Sequence, residues 1–134
     1  MDDIFVGQLM SDDLYTATKD TLVEDAADTM LSNGIGSLVV VDDDGHLEGI
    51  LTTTDFVDIV ARSKPKAETT VERYMTADVE TARVGDSIQD IADAMVEHGF
   101  HHMPVVDEDG TVVGLISTTD LTAYISTVQT PSPA

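Results

Sequence analysis

"VVDEDGTVVGLISTTD", residues 105–120, decides the fold, because it recurs as "VVDDDGHLEGILTTTD" at residues 40–55. The Asp-Gly pair in each copy (44–45 and 109–110) favours positive φ and so predicts a tight turn. The apolar runs on either side then become a hairpin: "SLVVV" (37–41) with "HLEGILT" (46–52), and "MPVV" (103–106) with "TVVGLIS" (111–117). Each second strand runs into a hydroxyl-rich stretch and an aspartate that begin a short helix, over 54–62 and 119–127.

The likeness extends outward from the hairpins. A shift of 65 positions lays residues 6–60 on 71–125 without a gap, and about a third of the pairs are identical. Val6, Met10, Thr16, Asp25, Met30 and Gly34 meet Val71, Met75, Thr81, Asp90, Met95 and Gly99. Before each hairpin an amphipathic helix is expected. In the first copy Thr21 with Glu24 has the spacing of a capping box, Val23, Ala26, Ala27, Met30 and Leu31 form the apolar stripe, and Gly34 ends it. In the second, Asp86 with Gln89 precedes Ile88, Ile91, Ala92, Met95 and Val96, and Gly99 ends it. Short strands near 14–18 and 79–83 come before these helices. The fold class is therefore α+β, a two-layer α/β arrangement of two β-α-β-β-α repeats, 4–62 and 71–127. Copies this small are expected to pack face to face about a pseudo-twofold axis. The polar, Pro65-bearing stretch 63–70 reads as a linker and 128–134 as a disordered tail.

Composition narrows the function. The chain of 134 residues has 26 acidic and 6 basic side chains, a net charge of −20. Such a field repels phosphate backbones and anionic lipid, which argues against nucleic-acid and membrane partners. The acidic residues are spread along the chain rather than massed in a tail, as in proteins of salt-accumulating microbes. There is no cysteine, so disulfides and thiolate metal sites are excluded. Neither a membrane span nor a signal peptide is expected, and a cytoplasmic location is.

Taken alone, "GILTTTD" (49–55) and "GLISTTD" (114–120) fit either helix caps or ligand sites. Gly49 permits close approach of a backbone or a flat ligand. Thr52 and Thr54 offer hydroxyls near a helix N-terminus, which suits an anion, and Asp55 can accept from the paired hydroxyls of a ribose. No elbow serine, P-loop or cysteine nucleophile is present, so no enzyme activity and no catalytic residue are expected.

Met75-Thr76, Pro104-Val105-Val106-Asp107 and the Gly-h-x-Ser/Thr-x-x-Asp signature at 114–120 resemble a tandem pair of CBS domains, the Bateman module, over about residues 4–127. The spread of acidic residues adds a halophilic archaeon as the expected source. The resemblance implies a stand-alone regulatory sensor without a catalytic cofactor. It would bind AMP, ADP, ATP or S-adenosylmethionine in clefts between the copies and signal to a partner protein, as a homodimer. Asp55 and Asp120 would hold ribose. Thr52, Thr54, Ser117 and Thr119 would lie near phosphate. Segments 13–17 (with Thr16) and 78–82 (with Thr81), and 35–38 and 100–103, would enclose adenine.

The copies differ at the start of the hairpin. His101, His102, Met103 and Pro104 stand in the second where Gly36, Ser37, Leu38 and Val39 stand in the first. Histidines there match the family's basic contacts to phosphate, so the second copy is expected to hold the nucleotide. The first would be empty or take a less charged adenosine compound. Lys64, Lys66 and Arg62 could lean toward a phosphate, but a solvated loop accounts for them as well. Two rival functions remain: an interaction module with degenerate sites, and a metal-binding protein using His98, His101 and His102.

Overall fold

A computed structural model describes residues 4–62 and 69–128, with the side chains of Arg62, Thr127 and Val128 left aside. Of the expected linker and tail, residues 63–68, with Lys64 and Lys66, and 129–134 fall outside the described residues, while Thr70 bridges Leu22 and Val128 ends a helix. In chain order the elements are α1 (Val6–Leu9), β1 (Thr16–Ala17), α2 (Val23–Asn33), β2 (Ser37–Val41), β3 (Leu47–Thr52), α3 (Thr53–Arg62), α4 (Val71–Tyr74), α5 (Ile88–His98), β4 (His102–Val106), β5 (Val112–Ser117) and α6 (Thr118–Val128). The mixed α/β pattern and its duplication are as the sequence implies. The four-residue helices α1 and α4 are additions, and the second copy's first strand is reduced to one parallel bridge, Ala82 to Val105.

The chain forms two compact units, and each combines parts of both copies. One comprises Leu14–Val79 with Asp109–Val112. Its sheet runs β1-β2-β3, with β1 parallel and β3 antiparallel to β2. Leu38, Val40 and Leu51 on one sheet face join Val23, Ala26 and Met30 of α2, Ile59 of α3 and Val71 of α4 in a single apolar cluster. The lead-in of the second copy is thus part of the first copy's core. Backbone bonds fix it there: Val71 N–H donates to Thr21 C=O (2.8 Å), and Ile50 and Thr76 exchange bonds of 3.0 and 2.9 Å.

The other unit takes the chain up to Asp13, Glu80–Glu108 and the stretch from Val113 on. Val6 of α1 is buried with Ala82, Ile91, Met95, Met103, Val105 and Ile116. Val6 N–H donates to Asp86 C=O (2.9 Å), and Ser11 and Leu115 exchange bonds of 2.8 and 2.9 Å.

These crossings explain the two signature glycines. A Cβ on Gly49 would lie 2.8 Å from both Met75 Sδ and Thr76 O. One on Gly114 would lie 2.5 Å from Met10 Sδ and 3.1 Å from Ser11 O. Of the two uses expected for Gly49, it is the approach of a backbone that the structure displays.

The helix starts are corrected by one residue. Leu22, not Thr21, precedes α2 and caps nothing with its side chain. The Thr21 hydroxyl instead accepts from Thr18 N–H at 3.0 Å, in a loop where Thr18 also donates to Asp20 at 2.5 Å. Ser87, not Asp86, caps α5 by accepting from Gln89 N–H (3.2 Å), while Asp86 accepts from Arg83 N–H (2.9 Å). Gly34 and Gly99 end α2 and α5 at φ 62° and 75°, as expected. Leu31 and Val96 do not join the cores, being 82% and 85% exposed.

Candidate functional site

In the first-copy unit, strand register decides which side chains share a face. Thr16 pairs with Val39, Val39 with Ile50, and Ser37 with Thr52. Directly paired residues point the same way and neighbours along a strand alternate. Thr16, Ser37 and Thr52 therefore lie on one face, opposite the face of Leu38, Val40 and Leu51 that meets the helices. Three expected site residues from three strands are brought together.

Where β3 passes into α3, Asp55 reaches back. Its Oδ2 accepts from Thr52 N–H at 2.7 Å and from the Thr52 hydroxyl at 3.3 Å. Thr53 N–H, the first amide of α3, donates to Gly36 C=O at 3.1 Å. This ties the start of β2 to the start of the helix. Thr54 is exposed in the first turn. Beside these groups the Ser37 hydroxyl is buried, at 3% exposure, with no partner. An unpaired hydroxyl in such a place costs about 1–3 kcal/mol.

The second copy repeats the construction in the other unit. Asp120 Oδ2 accepts from Ser117 N–H (2.9 Å) and Ser117 Oγ (3.0 Å), and Ser117 Oγ accepts from Asp120 N–H (3.2 Å). Thr118 N–H donates to His101 C=O at 3.0 Å. The aspartate thus reaches back to the end of the strand in both copies, and in the second the Ser117 hydroxyl also caps a helix amide. Among the described residues no partner is found for Oδ1 of Asp55 or Asp120, so each aspartate has an acceptor to spare.

His101 is exposed and His102 half-buried. Burial pushes the His102 imidazole below the ordinary histidine value and His101 adds to that, while the Asp120 carboxylate pulls it back up. The direction of that shift favours the neutral imidazole. Met103 belongs to the apolar cluster and Pro104 is fully buried, so a ligand would meet backbone there. Thr81 is half-buried beside the bridge at Ala82. Tyr15, not singled out from the sequence, is 42% exposed next to Thr16; Glu80 takes its place in the second copy.

The three histidines do not form the metal group that the sequence offered as a rival. The His98 ring stacks on Phe100, with centroids 5.5 Å apart. Among the described residues the metal-competent group is Asp42, Asp44 and His46 in the first hairpin turn, with donor atoms within 4.8 Å. There Asp42 Oδ1 already accepts from Asp44 N–H and His46 N–H, both at 2.9 Å. These bonds hold its carboxyl below the usual range, the His46 amide most of all.

The duplicated cap agrees with comparison against known families. The CBS-domain family model matches residues 6–62 and 71–127. The chain belongs to the CBS-domain family. An uncharacterised 17.7 kDa protein of Acidianus ambivalens is 32% identical over 125 residues, 93% of this chain and 75% of that protein. A homoserine O-acetyltransferase of Methanosalsum zhilinae is 34% identical over 125 residues, but these are only 25% of the enzyme. The CBS-domain pair of protein MJ0100, crystallised with 5′-methylthioadenosine and S-adenosyl-L-methionine, superposes with a TM-score of 0.86 at 27% identity, covering 93% of this chain and 98% of that one. Among the described residues no helix is long and apolar enough to cross a membrane.

Proposed function

We propose that this CBS pair is a regulatory sensor of adenosine compounds, AMP, ADP, ATP or S-adenosylmethionine, and passes its occupancy to a partner protein. The observation that carries this is the Asp120 cap. Ser117 fixes one carboxylate oxygen, the other has no partner among the described residues, and the half-buried His102 feels its charge. A ribose would take the spare oxygen through its hydroxyls. A phosphate near Thr119 and the start of α6 would be met by the helix dipole and by His102, whose protonated form its charge would favour. The ligands of protein MJ0100, both built on adenosine, support the class.

Leu31 and Val96, exposed on matching helices, would supply the apolar contacts of a homodimer. The acidic surface suits the salt-rich cytoplasm of a halophilic archaeon. Calorimetry at molar salt with AMP, ATP and S-adenosylmethionine tests the proposal. A ligand at a hundred times its Kd should stabilise the fold by about 2.7 kcal/mol; no binding of any of the three refutes it.

A further inference from the structure

The backbone docking of the two lead-ins is the same bond for bond. Val71 and Glu72 N–H donate to the carbonyls of Thr21 and Lys19 (2.8 and 3.1 Å), Thr69 C=O accepts from Val23 N–H (2.9 Å), and Thr76 and Ile50 exchange a pair. At the positions 65 residues away, Val6 and Gly7 N–H donate to Asp86 and Val84 (2.9 and 3.0 Å), Ile4 C=O accepts from Ile88 N–H (3.0 Å), and Ser11 and Leu115 exchange a pair. Any difference in how the two are held therefore comes from side chains.

Those side chains are of opposite kinds. Lys19 Nζ lies 2.9 Å from Glu48 Oε2 on β3 and 3.7 Å from Glu72 Oε2 on α4, so one ammonium joins the lead-in to the sheet. The bond to Glu48 above all raises the Lys19 pKa, which keeps that ammonium charged. The same three positions in the other unit are Val84, Val113 and Gly7. Val113 packs against the apolar cluster there. Val84 covers Gly7 so closely that a Cβ on the glycine would lie 3.2 Å from both its Cβ and its carbonyl oxygen.

We propose that residues 69–76 form a strap on the first-copy unit whose hold is set by ionic strength, through Lys19, Glu48 and Glu72, while the matching lead-in 4–11 is held without regard to it. The side chains of Lys19 and Glu72 are 42% and 60% exposed, so dissolved ions reach the triad and screen it. The contact of Val84 with Gly7 has no charge to screen. Ile50, which the strap pairs with, stands two residues before Thr52, the partner of Asp55. A loosened strap thus frees the edge of the strand that carries the first copy's Asp55 contact.

Amide exchange on the full, ligand-free chain tests this at matched positions. The readout is the protection of Glu72 N–H relative to Gly7 N–H, in which a change in global stability cancels. From about 0.1 M to 1 M potassium chloride the screening length falls from about 10 Å to 3 Å, and this relative protection should drop about threefold. Glu72→Gln should remove the dependence on salt. Lys19→Met should invert it, because Glu48 and Glu72 then repel and salt relieves them. Either variant alone keeps the test readable if the other does not fold. A relative protection that stays constant in wild type, or that falls as far in Glu72→Gln, overturns the strap. So does a Lys19→Met protein whose lead-in still loosens with salt. No ligand enters the readout, so the result is independent of the sensor proposal.

Discussion

The two copies share a cap and differ in what surrounds it. In each, an aspartate three residues past the strand's last hydroxyl ties down the helix start, and a carbonyl from the preceding strand takes the first amide. Around that shared scaffold the second copy sets two histidines, and the first an orphaned serine. The reach-back of the aspartate is duplicated, and the residues beside it differ.

The largest contrast expected between the copies concerns the crossing beneath each cap. At Gly49 an added methyl group meets the Thr76 carbonyl at 2.8 Å, whereas at Gly114 the nearest obstacle is the mobile end of Met10 and the nearest backbone is at 3.1 Å. Gly49→Ala should therefore cost about 3 kcal/mol and Gly114→Ala about 1 kcal/mol in chemical denaturation. Equal losses would mean that both lead-ins yield alike. Next in size, Asp120→Ala should weaken AMP binding about tenfold, by about 1.4 kcal/mol, and Asp55→Ala much less. The reverse order would place the phosphate ligand in the first copy.

A smaller effect is expected from His102. Its native value lies below the ordinary 6.5, so the unfolded chain takes up the proton first as pH falls. Stability should drop below about pH 6.5 in wild type, relative to His102→Gln. Bound AMP should shift the titration upward, and AMP affinity should fall from pH 5.5 to 7.5 by about fivefold more in wild type than in His102→Gln. Parallel pH profiles for the two proteins would detach His102 from the anion. Smallest and least local, raising salt from about 0.1 M to 1 M shortens the screening length from about 10 Å to 3 Å. The melting temperature should rise by about 5 °C, and an unchanged value would deny any role to the charge of −20.

What could be read from the chain follows from the range of the interactions. The hairpins were legible because Asp44-Gly45 and Asp109-Gly110 carry their turn chemistry locally, and the long helices because their apolar spacing and closing glycines lie within eleven residues. The caps at Thr21 and Asp86 were displaced because a side-chain oxygen near a helix start has rival donors. Thr21 answers to Thr18 and Asp86 to Arg83. Leu31 and Val96 continue an apolar stripe, but the sheet covers only the Val23-Ala26-Met30 and Ile88-Ile91-Met95 edge. Gly36, Ser37, His101 and His102 were singled out because they stand where the family the sequence resembles has basic contacts to phosphate. That Ser37 is orphaned, and that Asp55 and Asp120 keep an oxygen in hand, depends on burial and pairing between distant segments. The docking of Val6 and Val71 is likewise non-local: helices of four residues carry no periodic signal.

That docking has an evolutionary reading. Each copy lends its first residues to the other and receives the other's in return. A chain holding one copy would keep a groove without its strand-and-helix plug, and a plug without its groove. Two such chains would satisfy one another by exchange, giving a symmetric dimer held by the same crossings now found at Gly49 and Gly114. Fusion of two genes would then convert an association that depends on concentration into one that does not. Only after such a fusion could the two copies, encoded separately, begin to differ as they do at Gly36-Ser37 and His101-His102.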